Sequence, residues 1–148
     1  MLDYERLDVY RCAIEHLAFV FRNLPCLPRG YSALADQWRR ASVSIPLNIA
    51  EAVGKTSPLE RSHCYAIARG EAMECGAIID VVRLLDTVAR EELTDGKLLL
   101  VRTVGMLTKA VPVVTRAGAR ATCHVYGPRR GLRFSGPARA CSPPRGRL

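Results

Sequence analysis

A proline stands in the middle of what otherwise reads as a helix. From Gln37 to Glu60 the chain runs QWRRASVSIPLNIAEAVGKTSPLE, and Trp38, Ala41, Ile45, Ile49 and Ala52 recur every three or four positions. That is the spacing of one helix face. Pro46 interrupts the run: it removes one i→i−4 hydrogen bond and crowds the carbonyl of Ser42, at a cost of about 3 kcal/mol. A helix keeps such a residue only when its neighbours reseal the backbone, and the hydroxyls of Ser42 and Ser44 are close enough in sequence to do so. Beside the apolar stripe runs a polar row, Arg40, Ser44, Asn48 and Glu51. Such a row is either a solvated face or a seam buried against a partner, and spacing alone leaves both open.

Three further helices follow from the same periodicity. The first spans about Tyr4 to Asn23, with Leu7, Tyr10, Ile14, Leu17, Phe21 and Leu24 as its seam, and Pro25 and Pro28 stop it. The second, Ser32 to Val53, holds the Pro46 stretch and ends at Gly54 as a left-handed stop. Thr56 or Ser57 then caps the third, which runs from Pro58 to about Ala89. Its seam takes in Cys64, Ile67, Ala68, Ala72, Cys75, Ile78, Ile79, Val82 and Leu85. Gly70 and Gly76 each cost up to ~1 kcal/mol inside a helix, which suggests close helix–helix approach there. The fourth starts after Thr94, carries Leu98, Leu99, Val101, Met106, Leu107 and Ala110, and is ended or bent by Pro112, after which Val113 to Arg120 can resume a short helix. The expected architecture is all-α: an up-and-down antiparallel four-helix bundle over residues 1–115.

Three segments also carry a resemblance. Gln37, Arg39 to Ser42, Ser44 to Pro46 and Asn48 to Glu51 form the first, Ile67 to Glu74 the second, and Leu7 to Tyr10 the third. Together they resemble the bacterial four-helix-bundle family of proteins encoded in intervening sequences of 23S ribosomal RNA genes. That family includes the accessory variability determinant of diversity-generating retroelements. Two positions depart from its pattern: Ala52 replaces the glycine after Glu51, and Glu71 replaces a serine. The resemblance covers the chain to about Val111. It implies a ring-like homopentamer and, in the retroelement members, binding to nucleic acid (RNA or DNA) and to a reverse transcriptase, with no catalysis or cofactor of its own. Arg40, Ser44, Pro46, Asn48, Glu51, Gly70 and Glu74 are the motif positions expected to build its packing and interfaces.

Charge divides the chain in two. The net charge is +8, yet residues 1–115 hold 14 basic and 14 acidic side chains, while residues 116–148 hold 8 arginines and no acid. The body is neutral and the tail carries the whole excess. The tail is rich in Arg, Gly, Pro, Ala and Ser without a helical or strand period, a composition expected to stay disordered. It either contacts RNA through Arg129, Arg130 and Arg133 or is an extension of the reading frame past the domain. Within the body, Arg39, Arg40, Lys55, Arg61 and Arg69 are the candidate nucleic-acid contacts, and nearby Glu51, Glu60, Glu71 and Glu74 could equally balance them.

No apolar run reaches the ~18 residues of a membrane span, and residues 1–8 lack the apolar region of a secretory signal. The six cysteines show no regular framework, which favours reduced thiols in a cytoplasm over disulfides. Metal chemistry finds little support. Glu60 and His63 make a single Glu-x-x-His, whereas a di-iron bundle needs two such pairs and two further carboxylates. Neither a nucleophile motif nor a phosphate loop is visible. The sequence therefore reads as a non-enzymatic, oligomeric, nucleic-acid-associated bundle, with a purely protein-binding scaffold as the alternative.

Overall fold

The computed structural model describes residues 1–111. Its helices are α1 (Asp8–Asn23), α2 (Ser32–Gly54), α3 (Pro58–Leu85) and α4 (Arg90–Ala110), with 3-10 turns at Asp3–Arg6, Leu24–Cys26 and Arg29–Tyr31. Connections this short make consecutive helices antiparallel. α1 packs against α2 and α4, and α3 packs against the same two, so the expected four-helix bundle is the fold. The basic stretch 116–148, the boundary at 115, the short helix expected over Val113 to Arg120, and Arg129, Arg130 and Arg133 lie outside the described residues.

The core is built around Trp38. It is fully buried with Ile45 and Ile49 of α2, Val20 of α1, Ile79 and Val82 of α3, and Leu93 and Leu107 of α4. Burying each aliphatic side chain of this kind contributes about 1.5–3 kcal/mol. Phe19 meets Trp38 edge-on, ring centroids 5.9 Å apart, the geometry that the ring quadrupoles favour. α2 is the helix whose inward face matches the expected stripe at every position from Trp38 to Ala52.

α1 differs in both start and face. Leu7 is extended (φ −79°, ψ 126°), so the helix begins at Asp8 rather than Tyr4. The preceding turn is held by Glu5, whose Oε2 accepts from Leu2 N at 3.0 Å and whose carbonyl accepts from Arg11 Nε at 3.2 Å. Tyr4 thereby lies 4.8 Å from the ring of Tyr10. The buried positions are Cys12, Ala13, His16, Phe19, Val20 and Asn23. Of the expected seam, Ile14 and Phe21 are exposed, and Leu7, Tyr10, Leu17 and Leu24 are half-buried. At 100° per residue the two rows join into an apolar arc wider than half the helix. The arc turns inward where Phe19 can reach Trp38.

Pro46 is buried inside α2. Ser42 donates its hydroxyl to Arg39 O at 2.9 Å, and the Asn48 amide donates to Ser44 O at 2.9 Å and to Ser44 Oγ at 3.1 Å. Both hydroxyls are thus engaged within a turn of the carbonyl that Pro46 frees, rather than on it. Gly54 is the last helical residue and not a left-handed stop; Lys55 after it is extended. At the start of α3, Ser57 holds the cap position without a side-chain hydrogen bond to the helix. The helix ends at Leu85, four residues early, because Asp86 turns left-handed at φ 53°. A short polar side chain is one of the few that tolerates this.

α4 begins at Arg90, not after Thr94. Thr94 instead lies within the first turns and bonds back to Arg90 O at 2.8 Å. The earlier start brings Leu93 into register with Gly96, Leu100, Thr103 and Leu107, the buried row. Leu98 and Val101, two of the apolar residues this helix carries, are exposed. The helix ends at Ala110, before Pro112, with Val111 extended (ψ 108°) as the residue before a proline must be.

The close approach expected at Gly70 and Gly76 occurs elsewhere. A Cβ at Gly70 would meet nothing within 4 Å, and one at Gly76 would only touch Leu100 Cδ1 at 4.0 Å. At Gly96 the same atom would fall 2.3 Å from Phe19 Cε1. Gly96→Ala should therefore destabilise the fold by about 1–3 kcal/mol despite the better helix propensity of alanine. Gly54→Ala, with open space around it, should stay within about 1 kcal/mol of the parent; urea melts of both variants check the contrast.

Candidate nucleic-acid and subunit interface

The polar row of α2 reaches α3 through one residue that precedes it. Arg40 Nη2 donates to Gln37 Oε1, and Gln37 Nε2 donates to Glu74 Oε1. Arg40 and Glu74 are therefore linked across the α2–α3 contact by the Gln37 amide. Ser44 and Asn48 are half-buried and bonded to each other within α2, and exposed Glu51 pairs with Lys55 at 3.0 Å on the next turn. The row is satisfied along its own helix, and only its Arg40 end reaches another.

The basic candidates do not gather into one patch. Arg39 pairs with Asp36 at 3.0 Å. Lys55 and Arg61 sit at the α2–α3 turn, where Arg61 Nη2 donates to Lys55 O at 2.9 Å. Sixteen residues of helix separate that turn from Arg39, about 24 Å at 1.5 Å per residue. Arg69 leans the other way, with Nη1 donating to Thr108 Oγ1 of α4 at 3.5 Å. The Lys55 ammonium is held above the usual lysine value, first by its hydrogen bond to Glu51 and then by that carboxylate's charge. Exposed pairs of this kind add little stability, but they do offset the positive charge locally.

Glu51, Lys55, Leu59, Glu60, His63 and Cys64 line an open depression of about 520 Å³ beside this turn. It brings Glu60 and His63 together at the surface. Among the described residues, no group of three or more His, Cys, Asp or Glu side chains is placed to hold a metal ion.

Two buried groups escaped sequence reasoning. His16 is fully buried, and its Nδ1 lies 3.2 Å from Gly96 O, which requires Nδ1–H to donate. Nε2 has no partner among the described residues. Burial pushes the imidazole down to about 4, partly opposed by the Gly96 hydrogen bond. Next along α1, Asn23 Nδ2 donates to Phe19 O at 3.0 Å and to Glu92 Oε1 of α4 at 2.9 Å. Cys75 is fully buried on α3, and burial with Glu71 and Glu74 nearby pushes its thiol up to about 12. The signal for His16 and Asn23 was their spacing from Phe19 on an apolar helix, which a purely hydrophobic count ignores.

A model of the 23S rRNA-intervening sequence protein family matches residues 5–109, which is the whole bundle from the first turn to the last turn of α4. The chain belongs to that family. No curated protein matches it. The matched region contains every candidate contact of the body and the complete Gln37 to Glu51 motif.

The Gln37–Glu74 link should show a coupling of about 0.5–1.5 kcal/mol in a double-mutant cycle of Gln37→Ala and Glu74→Ala; purely additive losses in urea melts would show that it carries no stability. His16 fixes a pH dependence. Its folded value of about 4 lies below the ordinary 6.5, so the unfolded chain binds the extra proton between these values. Stability attributable to His16 is complete above pH 6.5 and falls as pH drops toward 4, by about 3 kcal/mol in all. Urea melts at pH 7.5 and 4.5 should show a drop larger in the parent than in His16→Gln by up to that amount.

Proposed function

We propose that this protein is a non-enzymatic, oligomeric helical accessory that associates with structured RNA. The observation that carries the reading is the family match over the entire bundle, since the family's description ties its members to intervening sequences of 23S rRNA. The resemblance of the α2 motif extends the proposal to a homopentamer and to a reverse transcriptase as the protein partner in a retroelement setting, and cysteines without a regular framework support a cytoplasmic location. Contacts to phosphate would come from Arg39, Arg40, Lys55, Arg61 and Arg69, repeated around the assembly so that individually weak contacts add through avidity. The arginines of 116–148 would add a second, electrostatic contribution.

One observation favours a different reading, an assembly scaffold that binds only protein. The body has no net charge, and Arg39 and Lys55 are already paired with Asp36 and Glu51.

An electrophoretic shift with a structured RNA at moderate salt separates the two. Full-length protein is expected to bind with a log–log salt slope of several units, because each neutralised phosphate releases counterions. A chain ending at Ala119 is expected to keep helicity and assembled mass while binding more weakly. If neither protein shifts the RNA, the scaffold reading stands alone.

A further inference from the structure

We infer that the stretch Val113 to Val125, which lies outside the described residues, turns back along α4 and seats in the groove between α3 and α4 of its own bundle. The inference depends neither on RNA binding nor on assembly.

The groove holds about 530 Å³, and its walls are mostly apolar. Buried Leu100 and half-buried Val104 line it together with Met73 and Val101, which are 61% and 62% exposed. Two glycines keep it open. A Cβ at Gly105 would meet nothing within 4 Å, and one at Gly76 would reach only Leu100. Asp80 and Lys97 are its charged members, bonded to each other at the end away from the close of α4. An apolar trough with a few polar groups at one end is the usual form of a docking site.

The chain that follows α4 is placed to fill it. Gly105 stands five residues before α4 ends at Ala110. Val111 falls two turns after Val104, on the same side of the helix. Pro112 forbids the helix from continuing, and Val111 is already extended. The chain therefore leaves α4 at the mouth of the groove and runs on to Leu148. From Ala110 back to Lys97 is about 20 Å at 1.5 Å per residue, and a helix from Val113 to Val125 is about 18 Å long. So short a tether holds the segment at an effective concentration of about a millimolar. A contact too weak to keep a free peptide in place is then enough.

The chemistry of the stretch fits the walls. Val114, Ala117, Gly118, Ala121 and Val125 fall on one face at helical spacing. A row of mostly small residues is too weak to order the stretch alone. Met73 and Val101 supply the missing bulk, because Ala117, Gly118 and Ala121 leave room for them. The stretch has no acid, and Arg116, Arg120 and His124 recur every four positions. Running antiparallel to α4 and so parallel to α3, a right-handed helix turns that flank toward α3. Asp80 stands there, its side chain 54% exposed beyond the bond to Lys97. Arg69, bonded to Thr108 near the mouth, borders the uncharged Val113 and Val114 instead. Seated in this way, the segment roots the arginines from Arg129 onward at the end of the bundle where α3 gives way to α4.

Trypsin acting on the full chain tests the seat, since cleavage tracks the fraction of time that a site is open. Cuts after Arg116 and Arg120 are expected to be about tenfold slower than cuts after Arg130 and Arg133. Val101→Glu alters an exposed groove position, and Ala117→Glu alters the segment without touching the bundle; circular dichroism checks that both keep the parent's helicity. Each should bring the four cuts to one rate. The parent's protection should stay constant over about a hundredfold range of protein concentration, as a contact within one chain requires. Equal rates in the parent overturn the inference, and so does protection that survives both variants. Protection that grows with concentration also overturns it, because the groove is then filled by the segment of a second copy.

Discussion

The contact between Phe19 and the backbone of α4 at Gly96 sets the geometry of the bundle. With no Cβ at that position, the ring lies directly on the α4 main chain and still reaches Trp38 edge-on. His16 uses the same gap to bond the Gly96 carbonyl, and Asn23 ties the end of α1 to Glu92 a turn earlier on α4. α1 and α4 are thus joined by an aromatic ring, an imidazole and an amide in one line, while α2 and α3 add the Gln37–Glu74 hydrogen bond to their apolar contacts. Interiors packed at crystal-like density transmit such a constraint. The inward turn of α1, and with it the outward placement of Ile14 and Phe21, follows from Phe19 being drawn to this point.

That dependence explains what the sequence made legible. α2 could be read nearly residue by residue, because its apolar stripe is narrow and a polar row flanks it, leaving only one way to face a core. α1 could not: its apolar arc offers two rows, and the row with larger aliphatic residues is the outer one. The choice is made by Gly96, 77 positions beyond Phe19, and nothing local to α1 reveals it. α4 was read to start after Thr94, because its first turns are polar and its buried row contains a glycine and a threonine, which a count of hydrophobic residues passes over. The end of α3 rests on Asp86 adopting a left-handed backbone, a conformation that sequence permits for aspartate but does not announce.

The candidate site shows the same division. The motif from Gln37 to Glu51 was visible as an ordered run of polar and small residues, and the family match agrees with it. How it works was not visible, because the bond to α3 leaves from Gln37 and not from Ser44 or Asn48. Likewise, five basic residues near one turn in the sequence are spread in space along α2 and across to α4. Of the five, Arg39 and Lys55 are paired with acids, whereas Arg40, Arg61 and Arg69 donate to a neutral amide, a carbonyl and a hydroxyl.

The buried thiol of Cys75 has a practical consequence. With its proton held up to about 12 and no solvent access, it exists at neutral pH as an unreactive thiol. Alkylating reagents can reach it only when α3 parts from its neighbours. The rate at which Cys75 becomes labelled is therefore a clock for the opening of the bundle, already built into the chain and readable by mass without any engineered probe.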